Sequence, residues 1–223
     1  MKIWIAILVL IATGAAVPAE PDPRIAVWSK LLPERAEVLK LKGDAARGES
    51  VFAICQGCHR VGALGRPDGS YPRLAGQHAS VLIKQMTDVR AGLRSNPKML
   101  PFADEHELTP QDIADVAVYL QALPVPPSQS HGPGDDLDRA AVLYEHDCAT
   151  CHGAQGMGDA AKLYPRLSGQ HFRYLLRAGR MIRDGQRHNA HPEMVDAIAH
   201  YTDEELSAVA DLISRMGLAD AKK

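Results

Sequence analysis

Cys55-Gln-Gly-Cys58-His59 and Cys148-Ala-Thr-Cys151-His152 decide how this chain is built, because together they use all four of its cysteines. In C-x-x-C-H the two thiols can add to the vinyl groups of a haem, and the adjacent histidine can ligate its iron. A single copy also fits a zinc site or a redox-active C-x-x-C. Two copies with no spare cysteine favour two covalently held haems, attached through Cys55 and Cys58 and through Cys148 and Cys151. Redox chemistry is then the expected function.

Outward from these motifs the chain repeats itself. A shift of 93 residues lays Cys55 on Cys148 and His59 on His152. It also lays Tyr71-Pro72-Arg73-Leu74-Ala75-Gly76-Gln77-His78 on Tyr164-Pro165-Arg166-Leu167-Ser168-Gly169-Gln170-His171. One long period present twice means tandem domains, since solenoid repeats are shorter and more numerous. Leu123-Pro124-Val125-Pro126-Pro127-Ser128-Gln129-Ser130-His131-Gly132-Pro133-Gly134 can hold neither a helix nor a central strand. The expected division is residues 20–123, a linker over 124–137, and residues 138–223.

The N-terminus begins with Lys2, continues through an almost wholly apolar run over residues 3–17, and reaches Val17-Pro18-Ala19. This layout predicts a secretory signal peptide spanning residues 1–19. The alternative, a retained anchor, is disfavoured because the run falls short of the ~20 residues of a spanning helix. Export implies a periplasmic protein, with peripheral membrane association left open. Residues 20–123 carry 13 basic and 13 acidic side chains, and residues 124–223 carry 11 and 14. Neither half is basic enough to suggest nucleic acid. Only 5% of residues are aromatic, which is meagre for two small cores. A buried porphyrin would supply the staple that small domains need.

The secondary structure reads as helical throughout. Residues 48–54 and 138–145 precede the two motifs as short helices. Residues 79–91 and 172–183 have apolar side chains at three- and four-residue intervals. Thr109 before Pro110, and Thr202 three residues before Glu205, mark the starts of two further helices. Ile113, Val116, Ala117 and Leu120 line one face, as do Leu206, Val209, Ala210 and Ile213. No segment alternates as a strand does, so the fold class is all-α, two small helical domains.

His59 and His152 are the expected proximal iron ligands. A thioether is the usual sixth ligand for high-potential electron transfer. Met86 falls within an amphipathic helix and reads as core. Met99, in Asn96-Pro97-Lys98-Met99-Leu100-Pro101, lies in a loop able to cross a haem face. His191-Pro192-Glu193-Met194 has the same X-Pro-X-Met form, displaced by a two-residue insertion, so Met194 is the second candidate. His188 and His191 share that loop and are its competitors, since imidazole also binds haem iron. Pro72 and Pro165 follow their histidines by thirteen residues and can offer a carbonyl to the other ring nitrogen; alternatively they only end a loop. Arg73 and Arg166 suit haem propionates or an exposed surface equally well. The arginines at 173, 177, 180, 183 and 187 form either a solvated face or a docking face for an acidic redox partner.

Two C-x-x-C-H domains, each with Y-P-R-L-x-G-Q-H and a later methionine, resemble the cytochrome c4 family of dihaem class I cytochromes c. The resemblance spans the mature chain. It implies paired class I cytochrome c domains, His/Met ligation of both irons, and carbonyls of Pro72 and Pro165 on the ligand histidines. It also implies an electron shuttle between a quinol-oxidising complex and a terminal oxidase. A dihaem subunit of a periplasmic dehydrogenase oxidising a sulfur compound or an alcohol would carry the same residues. A dihaem peroxidase is less compatible, because it needs an open iron position. The chain departs from the family pattern at Arg60, where the second half has Gly153, at Leu212 opposite Tyr119, and in the His-rich loop around Met194.

Overall fold

The computed structural model describes Trp28, residues 31–126 and residues 130–217. The expected signal peptide lies outside them. The first half contains α1 (Pro33–Val38), α2 (Ala45–Phe52), α3 (Gln56–His59), α4 (Ala79–Arg90), α5 (Leu100–Ala103) and α6 (Pro110–Ala122). The second contains α7 (Leu137–Leu143), α8 (Ala149–His152), α9 (Phe172–Arg183), α10 (Pro192–Ile198) and α11 (Asp203–Arg215). Among the described residues the extended pairing is a single isolated bridge, Asp159 with Tyr164. The all-α expectation holds. Helix α1 and the short α5 and α10 are additions to it.

The longest helices begin where local chemistry starts them. The Thr109 hydroxyl accepts the Asp112 amide, and the Asp112 carboxylate returns to the Thr109 amide. Thr202 and Glu205 repeat this reciprocal cap at α11. Each cap satisfies backbone donors that have no partner within the helix. The apolar face of α6 then buries Ile113, Val116, Ala117 and Leu120 against Val38, Phe52 and Leu82. In the second half, Leu206, Val209 and Ile213 of α11 pack with Leu143, Tyr144 and Ile198. Each half therefore owns a core.

Helix α2 crosses α6 at Gly48, where a Cβ would lie 2.1 Å from the Asp115 carbonyl oxygen. Buried Asp115 secures the crossing by accepting the Asp44 amide (2.7 Å) and the Arg47 Nε–H (2.7 Å). Asp211 does the same work for the second half, accepting the amides of Gly132 (2.8 Å) and Gly134 (2.7 Å) and pairing with Arg215 (2.8 Å). From α2 the chain tightens through a 3-10 turn at Ala53–Cys55; from α7 it loosens through a π turn at Tyr144–Cys148. Both routes deliver a one-turn helix ending in histidine. The backbone then reverses at Arg60 (φ 67°, ψ 164°) or Gly153 (φ 77°, ψ 158°).

The repeated octet joins the halves. Gln170 accepts the Arg73 amide and donates to the Arg73 carbonyl, both at 2.9 Å. Gln77 makes the same two bonds, also at 2.9 Å, to Arg166. His78 donates through Nε2 to the Met157 carbonyl (2.8 Å), and His171 donates to the Leu64 carbonyl (2.7 Å). The linker is drawn into the same seam, since Ser130 donates to the Pro67 carbonyl (2.7 Å).

Candidate haem and iron sites

His59 and His152 are buried, and each is oriented from outside its own helix. His59 Nδ1 donates to the Pro72 carbonyl at 3.1 Å, and His152 Nδ1 donates to the Pro165 carbonyl at 3.0 Å. Both rings thereby keep Nε2 free of hydrogen and available to a metal. Burial lowers the pKa of both imidazoles against the opposing pull of the proline carbonyls, and Arg94 lowers His59 further. Neutral imidazole is the ligating form.

Cys55 and Cys148, the first thiol of each motif, are unlike the nucleophile of a redox dithiol. Burial, then the neighbouring Cys58, pushes the Cys55 thiol up to about 11. Burial, then Asp147 and Cys151, pushes Cys148 up to about 12. Reactive C-x-x-C cysteines are shifted the other way. None of the four is in a disulfide. Among the described residues no three His, Cys, Asp or Glu side chains converge as a zinc site requires.

In the second half, Cys148, Cys151, His152 and Met194 line one cavity of about 280 Å³, walled by apolar side chains such as Leu167, Leu175 and Val209. Two thiols, an imidazole and a thioether around apolar walls fit a planar, apolar, iron-bearing group. His191 also lines the cavity, whereas His188 is exposed and does not. In the first half, Cys55, Leu74 and Met86 pack against the core, so Met86 is used as apolar filling. Met99 stands half-buried at the start of α5, with its amide on the Asn96 carbonyl (3.0 Å).

Arg73 is buried and lies in the seam between halves, where its guanidinium donates to the carbonyls of Pro126 and Gly169. The Nε atoms of Arg73 and Arg166 are both buried without a hydrogen-bond partner among the described residues. Such donors suit an anionic group that the polypeptide itself does not provide. The arginine run on α9 is largely engaged: Arg180 and Arg183 pair with Asp203 (2.8 Å each), and Arg187 donates to Gln85 (3.0 Å). Arg173 and Arg177 remain exposed. Sequence reading missed the glutamines and histidines that end the octets. The signal was present, because haem attachment by itself does not call for a repeated Gln-His.

Paired helical domains, each presenting C-x-x-C-H with a carbonyl-braced histidine, define a c-type cytochrome. The Cytochrome c family model matches residues 45–124 and again 137–217. The chain is 32% identical over 201 residues to the thiosulfate dehydrogenase electron acceptor of Stutzerimonas stutzeri, covering 82% of this chain and 92% of that one. It is 31% identical over 191 residues to cytochrome c4 of Azotobacter vinelandii, covering 77% and 88%. The crystal structure of reduced cytochrome c4 from Pseudomonas stutzeri superposes with a TM-score of 0.68 at 25% identity, over 78% of this chain and all of that one. The chain belongs to the cytochrome c family and, within it, to the dihaem cytochrome c4 family. It is accordingly an electron carrier with two covalently bound haem c groups.

Proposed function

We propose that Cys55 and Cys58 hold the first haem, with His59 and Met99 on its iron, and that Cys148 and Cys151 hold the second, with His152 and Met194. Each haem supplies one reversible electron. Around it the chain's own groups act as braces: the Pro72 and Pro165 carbonyls orient the imidazoles, and Arg73 and Arg166 offer Nε–H donors to propionates. Met194 is favoured over His191 because His191 Nδ1 accepts the Glu193 amide (3.1 Å). A ring so engaged keeps its hydrogen on Nε2 and has no lone pair left for iron.

The proposed role is a periplasmic shuttle, exported by residues 1–19 and built as domains over 20–123 and 138–223 with a linker over 124–137. It takes electrons from a quinol-oxidising complex and gives them to a terminal oxidase. Among the described residues no helix is long and apolar enough to cross a membrane. The observation carrying this reading is the pair of carbonyl-braced histidines in two halves bound across one seam. A second reading, acceptor for a sulfur-oxidising dehydrogenase, is supported by the Stutzerimonas relative. Stopped-flow mixing separates them. The shuttle requires fast reduction by membranes bearing a quinol-oxidising complex and fast reoxidation by an oxidase. Slow reduction there, with fast reduction by a purified thiosulfate dehydrogenase plus thiosulfate, selects the second.

A further inference from the structure

The two distal loops are held in different ways. The turn at Met99 is secured within its own half: Arg90 donates to the carbonyls of Ala103 (2.5 Å), which ends α5, and Leu108 (2.8 Å), in the link to α6. The loop at Met194 is secured by the opposite half. Asn189 is buried and donates through Nδ2 to Asp88 (2.8 Å) and Gln85 (3.2 Å), both on α4. Asp88 is fully buried and also pairs with Lys84 and with Arg35 of α1. Lys84 Nζ in turn lies 5.3 Å from the ring centroid of Trp28. The Trp28 ring stands edge-on to His191, centroid to centroid 4.3 Å, and Trp28 lines the cavity that Met194 lines. His191 caps α10, the helix carrying Met194.

These contacts form one connected path from the first half to the second methionine. Its start is anchored in a buried charge cluster and its end caps the helix of the ligand. Asn189 and His191 both belong to the loop that is two residues longer than its counterpart.

We propose that Trp28 and Asn189 are positioning residues through which the first half keeps Met194 seated at the second iron. Both line the cavity without being ligands, and each acts on Met194 through the cap at His191 or the anchor at Asp88. The turn at Met99 takes its ties from Arg90 of its own half instead. This inference rests on Met194 being the second iron's ligand.

The test uses the full-length dihaem protein and the variants Trp28→Ala, Trp28→Phe, Asn189→Ala and Met194→Ala. Carbon monoxide binding to the reduced protein and the near-infrared sulfur-to-iron band of the oxidised protein are read for each haem. Trp28→Ala and Asn189→Ala should each raise the methionine-off fraction at the second haem by about three- to tenfold, the scale set by losing one aromatic or buried polar contact. The first haem should be unchanged, and Trp28→Phe should restore most of the loss. Both alanine variants leaving the second haem at its wild-type level would overturn the proposal, as would equal changes at the two haems. Met194→Ala keeps the two ideas apart. If it removes half of the near-infrared band, the ligand assignment stands whatever the Trp28 and Asn189 variants do. If the band survives intact, the assignment fails and takes the positioning role with it.

Discussion

Gln77 and Gln170 stand 93 residues apart and make the same pair of 2.9 Å hydrogen bonds in opposite directions, each holding the backbone of the other half's arginine. Those arginine positions directly follow Pro72 and Pro165, whose carbonyls brace the ligand histidines. Interdomain contact and iron-site geometry therefore share one stretch of backbone.

Removing either glutamine should loosen the seam. Gln77→Ala loses the hydrogen bond from the His78 amide and both bonds across the seam, leaving the Arg166 peptide without them, a cost of about 1–3 kcal/mol in domain docking. The expected outcome is faster proteolysis in the linker near Pro126, together with slower equilibration between the two haems. In the intact protein that equilibration should be independent of protein concentration, which stopped-flow reduction by a one-electron donor measures directly.

Met99→Ala should open the first iron, lower its potential and let one haem per chain bind carbon monoxide. The second haem should respond little. A variant that binds no carbon monoxide removes Met99 from the ligand set.

Arg60 carries φ 67° and ψ 164°, a conformation that glycine adopts freely and a side chain does not. The second half has Gly153 at the matching position. Arg60→Gly should stabilise the first domain by roughly 1–2 kcal/mol, and Gly153→Ala should destabilise the second by a similar amount. Thermal unfolding followed at each haem's absorbance checks both signs.

Acid should undo the two aspartate ties. Burial alone raises the pKa of Asp115, but Arg47, the Asp44 amide and Gln111 together hold it below the usual value. Asp211 is likewise raised by burial and brought down further by Arg215 and the Gly134 and Gly132 amides. A depressed folded-state pKa contributes stability above the unfolded value of about 3.9, and that stability is lost as pH falls below it. Asp115→Asn should therefore cost the first domain about 1.5–3 kcal/mol at pH 7, with a smaller difference from wild type at pH 2–3. Unfolding midpoints across pH 2–7 read this out. An equal difference at both ends would assign the loss to packing instead.

What the sequence discloses here is what acts locally. Thr109 and Thr202 meet their capping partners three residues on, and the spacing inside C-x-x-C-H is imposed by one helical turn. The buried faces of α6 and α11 follow from helical periodicity alone. Helix α1 escaped notice because its six residues include buried Arg35, which finds Asp88 and Thr87 only after folding. Gln170 likewise gains its role from a partner 97 positions away. Arg187 reads as part of a basic run, yet it reaches Gln85 on the first half. Side chains whose partners come from the other repeat look, in sequence, like ordinary surface polar residues.

The exchange between Gln77 and Gln170 has a further consequence. Each half carries both the donor and the acceptor side of the contact, which is the logic of a two-fold dimer written into one polypeptide. Two separate copies would have to find one another, and their pairing would vanish on dilution. Covalent fusion replaces that search with an effective concentration on the order of millimolar, set by the short linker. The neighbour of each haem is thus supplied by the gene itself, however scarce the protein becomes.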